Sequence, residues 1–493
     1  MELDFEGKSI SCMSWTVRQV KNQEQTMEVR LPDGMPEIGT VLGAWGQCIL
    51  RGKEWRKGSI GVNGGVMAWA LYLPVNGGTP QSIEAWIPFQ EKWDLGETRQ
   101  EGTIRTQCLL KSLDARKVSD KKLIFRAGLG LLAEAMEPRE ERMYTPNDTP
   151  EDVQLLKQSY PVMLPRETGE RSFAVDEDID LPDLGSLLYC RVTPRLTQQQ
   201  VVGNKVSFMG AACCHLLYVT GEGQLRTQDV PLEFSQLADL DQSYDKDAEV
   251  SLMTELTSLE PEAQDGRIRI KCGLVAQYLV RDKMALELIT DAYSPIRTVR
   301  VKEETLQLPA ILDLTTRTLQ PEVQLNIPCQ RVVDTLVLEE HPTVRRAGEA
   351  TEVELPGSAQ VLYYDTEGQL QCSSGKWSTQ WELPADSTVQ VWSNATAVEE
   401  PKASCSGQQC TVTPQIGAEA LSLSRQGMPM LTGMELEEAT EPDPARPSLI
   451  LRHRGEKSLW ELAKECGSTV EAICKANGLQ EEPRDDRLLL IPV

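Results

Sequence analysis

Thirteen cysteines and three histidines carry the side chains of this chain that could do nucleophilic, redox or metal chemistry. The tightest grouping is Cys213-Cys214-His215. A thiolate–imidazole dyad needs the two side chains to face each other, whereas neighbours in a strand point to opposite faces. The run around them, "AACCHLLYV", is strand-like, so these residues read as structural. His341 stands alone, and His453 lies between Arg452 and Arg454 in a basic, solvent-facing pattern. No histidine has metal spacing to another histidine or to a cysteine pair, and no Cys-x-x-Cys occurs. The odd, scattered cysteine set argues against a disulfide framework and against a zinc cluster, and fits a reducing cytoplasm. Paired acids such as Glu303-Glu304 are common in so acidic a chain and carry no assignment. Gly221-Glu222-Gly223 lacks the third glycine and the following helix of a phosphate loop. The Asn394-Ala395-Thr396 sequon has no secretory signal to give it meaning. The expectation is a protein without a catalytic set, metal or cofactor.

The most specific residue pattern lies near the end of the chain. Ser458 with Glu461 forms a capping box, Leu459, Leu462, Ala463 and Cys466 share one face, and Gly467 is a helix stop. Ser468 with Glu471 repeats the device, Val470, Ile473 and Cys474 face inward, and Gly478 ends the second helix. "SLILRH" before and "RLLLIPV" after read as strands, giving β-α-α-β over residues 449–493. The loop opening the first helix and the loop closing the second should flank a shallow groove. Its candidate partner- or glycan-binding residues are Glu456, Ser458, Leu459, Trp460, Asn477, Gly478 and Leu479. Trp460 lies about 100° round the helix from Leu459, outside the buried stripe, and is the candidate anchor of an interface.

The elements that precede this module repeat themselves. "LLYVTGEGQL" from Leu216 returns as "VLYYDTEGQL" from Val361, and more loosely as "ALYLPVNGGT" from Ala70. Tyr72, Tyr218 and Tyr363 are spaced by 146 and 145 residues. "PEIGTVL" from Pro36 parallels "PDLGSLL" from Pro182, and Phe125–Leu129 parallels Ile270–Leu274. A unit of that length is a folded domain in tandem, not a solenoid repeat. Period-two alternation in "GRIRIKCGLVAQYLV" and "STVQVWS" marks strands, and the repeated phrase reads as strand, turn, strand with Gly223 and Gly368 at positive φ. The fold expected is mainly β, with three homologous sandwich- or barrel-like domains at 1–147, 148–300 and 301–432. An acidic, proline-containing linker follows at 433–448, then the small module at 449–493. "YTPNDTPEDVQLLKQSY" reads as a short helix capped by Asp148 or Thr149, with Pro150 in its first turn.

The formal charge of −24 opposes binding to nucleic acid or anionic lipid. Residues 449–493 account for only −1 of it, so the acidity belongs to the repeats and linker. The first residues, "MELDFEGKSISCMSW", lack the pattern of a signal peptide, and no apolar run reaches the length of a membrane span.

The module resembles LysM. The resemblance lies in Gly455-Glu456, Ser458-Leu459-Trp460, Leu462-Ala463-Lys464, Thr469-Val470, Ile473, Asn477-Gly478-Leu479 and Leu490-Ile491-Pro492. It departs in the first loop, one residue longer than usual, and at Cys466, where an aromatic is usual. Tandem β domains carrying "LYV…G.L" before such a module are similar to the SipL type of spore-coat assembly protein of endospore-forming Firmicutes, built from SPOCS domains. The likeness is strongest in "VMAWALYLPVNGGTPQSIEAWIPF" and "FMGAACCHLLYVTGEGQLRTQDVPLEF". The third copy lacks the Pro-Phe ending of the first two. The resemblance implies a non-enzymatic scaffold on the mother-cell cytoplasmic side of the forespore. Its LysM module would bind a coat basement-layer, ATPase-type morphogenetic protein. The alternative is a wall protein using the same groove for the N-acetylglucosamine glycan of peptidoglycan.

Overall fold

Period-two alternation becomes strands throughout. In Arg267–Tyr293, Ile268, Ile270 and Cys272 are buried while Arg267, Arg269 and Lys271 face solvent. The structure is a computed structural model that describes residues 2–96, 101–348, 350–384, 389–439, 447–483 and 485–493.

Three units follow the same pairing plan. In the first, Phe5–Arg30 pairs antiparallel with Lys122–Pro146, which also pairs with Thr103–Ser119. A second sheet holds Ile38–Arg56, Ser59–Pro74 and Gln81–Asp94. In the second unit, Gln154–Asp180 pairs with Arg267–Tyr293, flanked by Glu249–Gln264, and Leu184–Thr220 pairs with Leu225–Tyr244. In the third, Ile311–Leu319 and Val389–Ser406 flank Gln409–Ser424, and Cys329–Glu339 and Leu370–Pro384 flank Ala350–Asp365. Each unit thus pairs its opening strand with its last, and packs that sheet on the other. The architecture is mainly β and sandwich-like, and no sheet closes into a barrel among the described residues.

The repeated tyrosines sit in matching places. Tyr72 stands opposite Gln81, Tyr218 opposite Arg226 and Tyr363 opposite Gln371, each on the strand that leads into the repeated turn. All three are buried. The Tyr72 hydroxyl donates to the Pro36 carbonyl at 2.9 Å, and the Tyr218 hydroxyl to Asp183 Oδ1 at 3.2 Å. Both therefore grip the "PEIG/PDLG" segment that recurs with them. Gly223 and Gly368 have φ of 82° and 76°.

Several expectations change. Residues 147–153 form a turn closed by Val153 N–H to the Pro150 carbonyl, not a helix, and Gln154–Asp180 is extended. Pairing with Arg267–Tyr293, from Tyr293 back to Arg267, outweighs the cap signals of a single short turn. The linker begins later than the composition suggests. Met428–Leu436 is a strand paired with Val299–Leu306 on one side and Glu2–Leu3 on the other, and Met434 and Leu436 are buried. Residues 440–446 of the expected linker, and Ser387-Thr388 of "STVQVWS", lie outside the described residues. Cys329 and Cys405, 76 residues apart, form a disulfide, against the expectation of none. Spacing arithmetic cannot foresee a bridge made only when the two sheets of the third unit close on each other. No helix of the described residues is long and apolar enough to cross a membrane.

Candidate interaction site: the C-terminal module and its docking face

Leu449–His453 and Leu488–Pro492 pair antiparallel and carry helix α1 (Leu459–Cys466) and helix α2 (Val470–Asn477). The capping box of α1 forms as expected. Ser458 N–H donates to Glu461 Oε2 at 2.7 Å, and Glu461 N–H to Ser458 Oγ at 3.2 Å. Those bonds hold the exposed Glu461 carboxyl below its usual range. Gly467 closes α1 at φ 62°. The cap of α2 is Thr469, not Ser468: Thr469 Oγ1 accepts from Ala472 N–H at 3.1 Å while Ser468 is buried. Leu459, Leu462, Ala463, Cys466, Ile473 and Ile491 make the module's own core.

Most of the candidate residues serve that fold. Leu459 is core, Ser458 and Gly478 are caps, and Leu479 packs half-buried against the core. Asn477 Nδ2 donates to the carbonyls of Ile473 and Leu490 at 2.8 and 2.6 Å, and its Oδ1 accepts from Leu490 N–H at 2.8 Å, tying the end of α2 to the last strand. Glu456 is exposed. The first loop does meet the segment after α2, but through carboxylates that the sequence pattern does not mark. Leu459 N–H donates to Glu482 Oε1 at 2.9 Å and Gly455 N–H to Asp486 Oδ1 at 3.0 Å.

Trp460 is half-buried against the second repeat rather than free. Its Nε1–H donates to Asp291 Oδ2 at 2.8 Å, and its ring meets Tyr293 edge-on at 4.7 Å. Lys464 Nζ reaches both Asp291 oxygens at 2.7 and 2.8 Å. The Tyr293 hydroxyl donates to the Ser468 carbonyl at 3.1 Å, and its ring joins the module's apolar cluster. Burial opposes ionisation of Asp291, but the bonds from Lys464 and Trp460 outweigh it and hold the carboxyl below its usual range. Asp291 and Tyr293 are one strand period apart at the end of Arg267–Tyr293. Nothing local in "ITDAYS" announces a partner about 170 residues downstream.

A second polar cluster lies where the repeats meet. His215 Nδ1 bonds Asp229 Oδ1 at 2.5 Å, and Nε2 bonds Asp334 Oδ1 at 2.8 Å. The Tyr189 hydroxyl donates to the other Asp334 oxygen, and Trp45 stacks on Tyr189 at 5.9 Å. Burial disfavours the imidazolium, yet the two carboxylates raise His215 to about 9. Asp334, buried but bonded to His215 and Tyr189, is held at about 2. An imidazolium with both nitrogens bonded to carboxylates has no lone pair to act as a base. Cys214 faces the other way, with Sγ 3.6 Å from Cys190 Sγ, as strand alternation requires. His453 is exposed and His341 is buried.

Glutamine side chains join the repeats to one another's backbones. Gln47 accepts from Val192 N–H at 2.8 Å, Gln277 bonds both backbone groups of Thr106 at 3.0 and 2.9 Å, and Gln360 donates to the Ala44 carbonyl at 3.0 Å. Beside these joints lies a cavity of about 190 Å³ with lining from all three repeats, including Gln47, Glu255 and Glu339. Burial lifts the Glu255 carboxyl to about 8 against the pull of the Cys108 backbone N–H and Lys53.

Comparison of the chain with family models, with curated proteins and with solved structures finds no match.

Proposed function

We propose that the chain is a non-enzymatic adaptor in spore-envelope assembly. On this reading a body of three interlocked β repeats presents the C-terminal module to a coat morphogenetic protein of the basement-layer ATPase type, on the mother-cell side of the forespore. The repeat pattern and the LysM-like residues of 449–493 suggest the system. The observation that carries the adaptor reading is the module itself, whose core comes from its own strands and helices apart from the Tyr293 ring, and which meets the repeats, among the described residues, through the contact of Asp291 and Tyr293 with Trp460, Lys464 and Ser468.

The bonds of the first loop favour a protein partner over peptidoglycan. The Gly455 and Leu459 amides, backbone donors of the first loop, already serve Asp486 and Glu482. A glycan would have to displace both carboxylates and then lie beside them.

The test is a fluorescent fusion of the full chain in a sporulating endospore-former, compared with a fusion lacking residues 449–493. A shell around the forespore that is lost on truncation, together with recovery of the ATPase-type protein by the full chain alone, supports the adaptor. A vegetative-wall pattern, or sedimentation of the purified chain with peptidoglycan, supports the glycan alternative and overturns the proposal.

A further inference from the structure

Three sulfurs of the third repeat converge. Cys329 opens the strand Cys329–Glu339 of one sheet. Cys405 and Cys410 stand opposite each other at the end of the hairpin that joins Val389–Ser406 to Gln409–Ser424 in the other. All three Sγ atoms lie within 4.8 Å of one another. Cys329 and Cys410 are buried and Cys405 is half-buried.

A disulfide uses two of these sulfurs and leaves the third without a purpose. Cys410 is fully buried, its sulfur within 4.8 Å of both bonded sulfurs. The other cysteines of the chain are free thiols, including Cys190 and Cys214 with their sulfurs 3.6 Å apart. We infer that in the reduced chain Cys329, Cys405 and Cys410 form a site for one thiophilic d10 ion, Cu(I) or Zn(II).

The geometry suits such an ion. Metal–thiolate bonds of about 2.3 Å place three sulfurs around one ion at about 4 Å from one another, so once the disulfide is reduced Cys329 and Cys405 must part from bonding distance, about 2 Å, to about 4 Å, while Cys410 already lies within 4.8 Å of both. Soft thiolates select these metals over harder ones. No fourth His, Cys, Asp or Glu of the described residues joins the group. Cu(I) is satisfied by three sulfurs, whereas Zn(II) would complete its shell with water. Cys405, the half-buried member, is the point of entry. Because the ligands bind as thiolates, binding must release protons and weaken as pH falls. The ion would fasten the two sheets of the third repeat, the unit whose opening strand is split into the short pieces Val299–Leu306, Ile311–Leu319 and Val323–Leu325.

The experiment uses the full chain, reduced and handled anaerobically, with intact mass confirming thirteen free thiols. Cu(I) and Zn(II) are titrated separately against bathocuproine disulfonate and 4-(2-pyridylazo)resorcinol, and retained metal is counted after gel filtration. The expected result is one ion per chain. Iodoacetamide mapping should show Cys329, Cys405 and Cys410 protected together and released together by chelator. Cys405→Ser and Cys410→Ser should each weaken binding by about 100-fold or more, beyond the 10–100-fold typical of losing a group that merely supports a ligand. The tighter-held ion identifies the metal. Retention of no ion by the wild type overturns the inference, as does equal binding by a folded Cys410→Ser chain. So does a mapping in which Cys410 alone reacts while Cys329 and Cys405 remain a disulfide. If either serine variant fails to fold, the protection pattern of the wild type decides.

Discussion

At the scale of single residues, buried charge makes the fold sensitive to alkali. His215 binds its proton more tightly when folded, at about 9, than when unfolded, near 6.5. Its contribution is therefore complete below pH 6.5 and is lost as pH rises through 9, at most about 3 kcal/mol for that difference. Glu255 acts in an earlier window. Its folded value of about 8 exceeds the ordinary 4.5, so the native state holds a proton that the unfolded chain gives up, and stability falls between those two values. Thermal melts should show the midpoint dropping from pH 5 to 9. Glu255→Gln should lessen the acidic half of that decline, to which Glu339, raised by burial to about 7, also contributes, and leave the half above pH 8. His215→Ala strands the buried Asp334 carboxylate and should cost about 3–5 kcal/mol, with Asp334→Asn in the same chain restoring part of the loss. A wild-type midpoint that does not change across this range would refute both assignments. The sequence shows that Cys214 and His215 face apart, because alternation is a local property. It does not show Asp334, which is 119 residues away and reaches His215 only when the second and third repeats dock.

At the scale of elements, the helices of the module are legible because each carries its own start and stop. Ser458, Glu461, Gly467 and Gly478 act within one turn of where they stand. The cap of α2 is misplaced by one residue because Ser468 and Thr469 are chemically equivalent at that position, and only the packing that buries Ser468 separates them. The segment after Pro146 misleads for the opposite reason: its helix signals are local and weak, and a long strand pairing overrides them. The contact of Trp460 with Asp291 is not legible at all. Asp291→Ala removes three bonds to the module, from Trp460 and Lys464, and should raise the undocked population by roughly 10–100-fold, given about 1.5–3 kcal/mol for hydrogen bonds to a charged group. Hydrogen exchange should quicken over Leu459–Cys466 where it faces the repeats, and protease should separate the module from the body sooner. Unchanged exchange in both places would mean that the contact contributes nothing to docking.

At the scale of the whole molecule, the internal duplication makes three β units visible in the sequence, and the matching registers of Tyr72, Tyr218 and Tyr363 follow from it. How the units meet is written nowhere in the repeat, because each uses different residues at the joint. Trp45 and Leu71, Tyr189 and Leu217, and Leu336 and Leu362 form one apolar cluster drawn from all three. Trp45→Ala should therefore cost about 3–5 kcal/mol, and calorimetry of residues 1–436 should show one shifted transition. Separate transitions for the three units would contradict a shared core. The sheet that joins Glu2–Leu3 to Met434–Glu435 adds a constraint of another kind, one of timing. On a ribosome adding about 5–20 residues per second, the first strand waits on the order of tens of seconds before its partner exists. Throughout that interval its backbone donors and acceptors are open to any other unpaired edge, including one on a neighbouring nascent chain. Slow elongation late in the message should consequently cost yield by aggregation, more than slow elongation early.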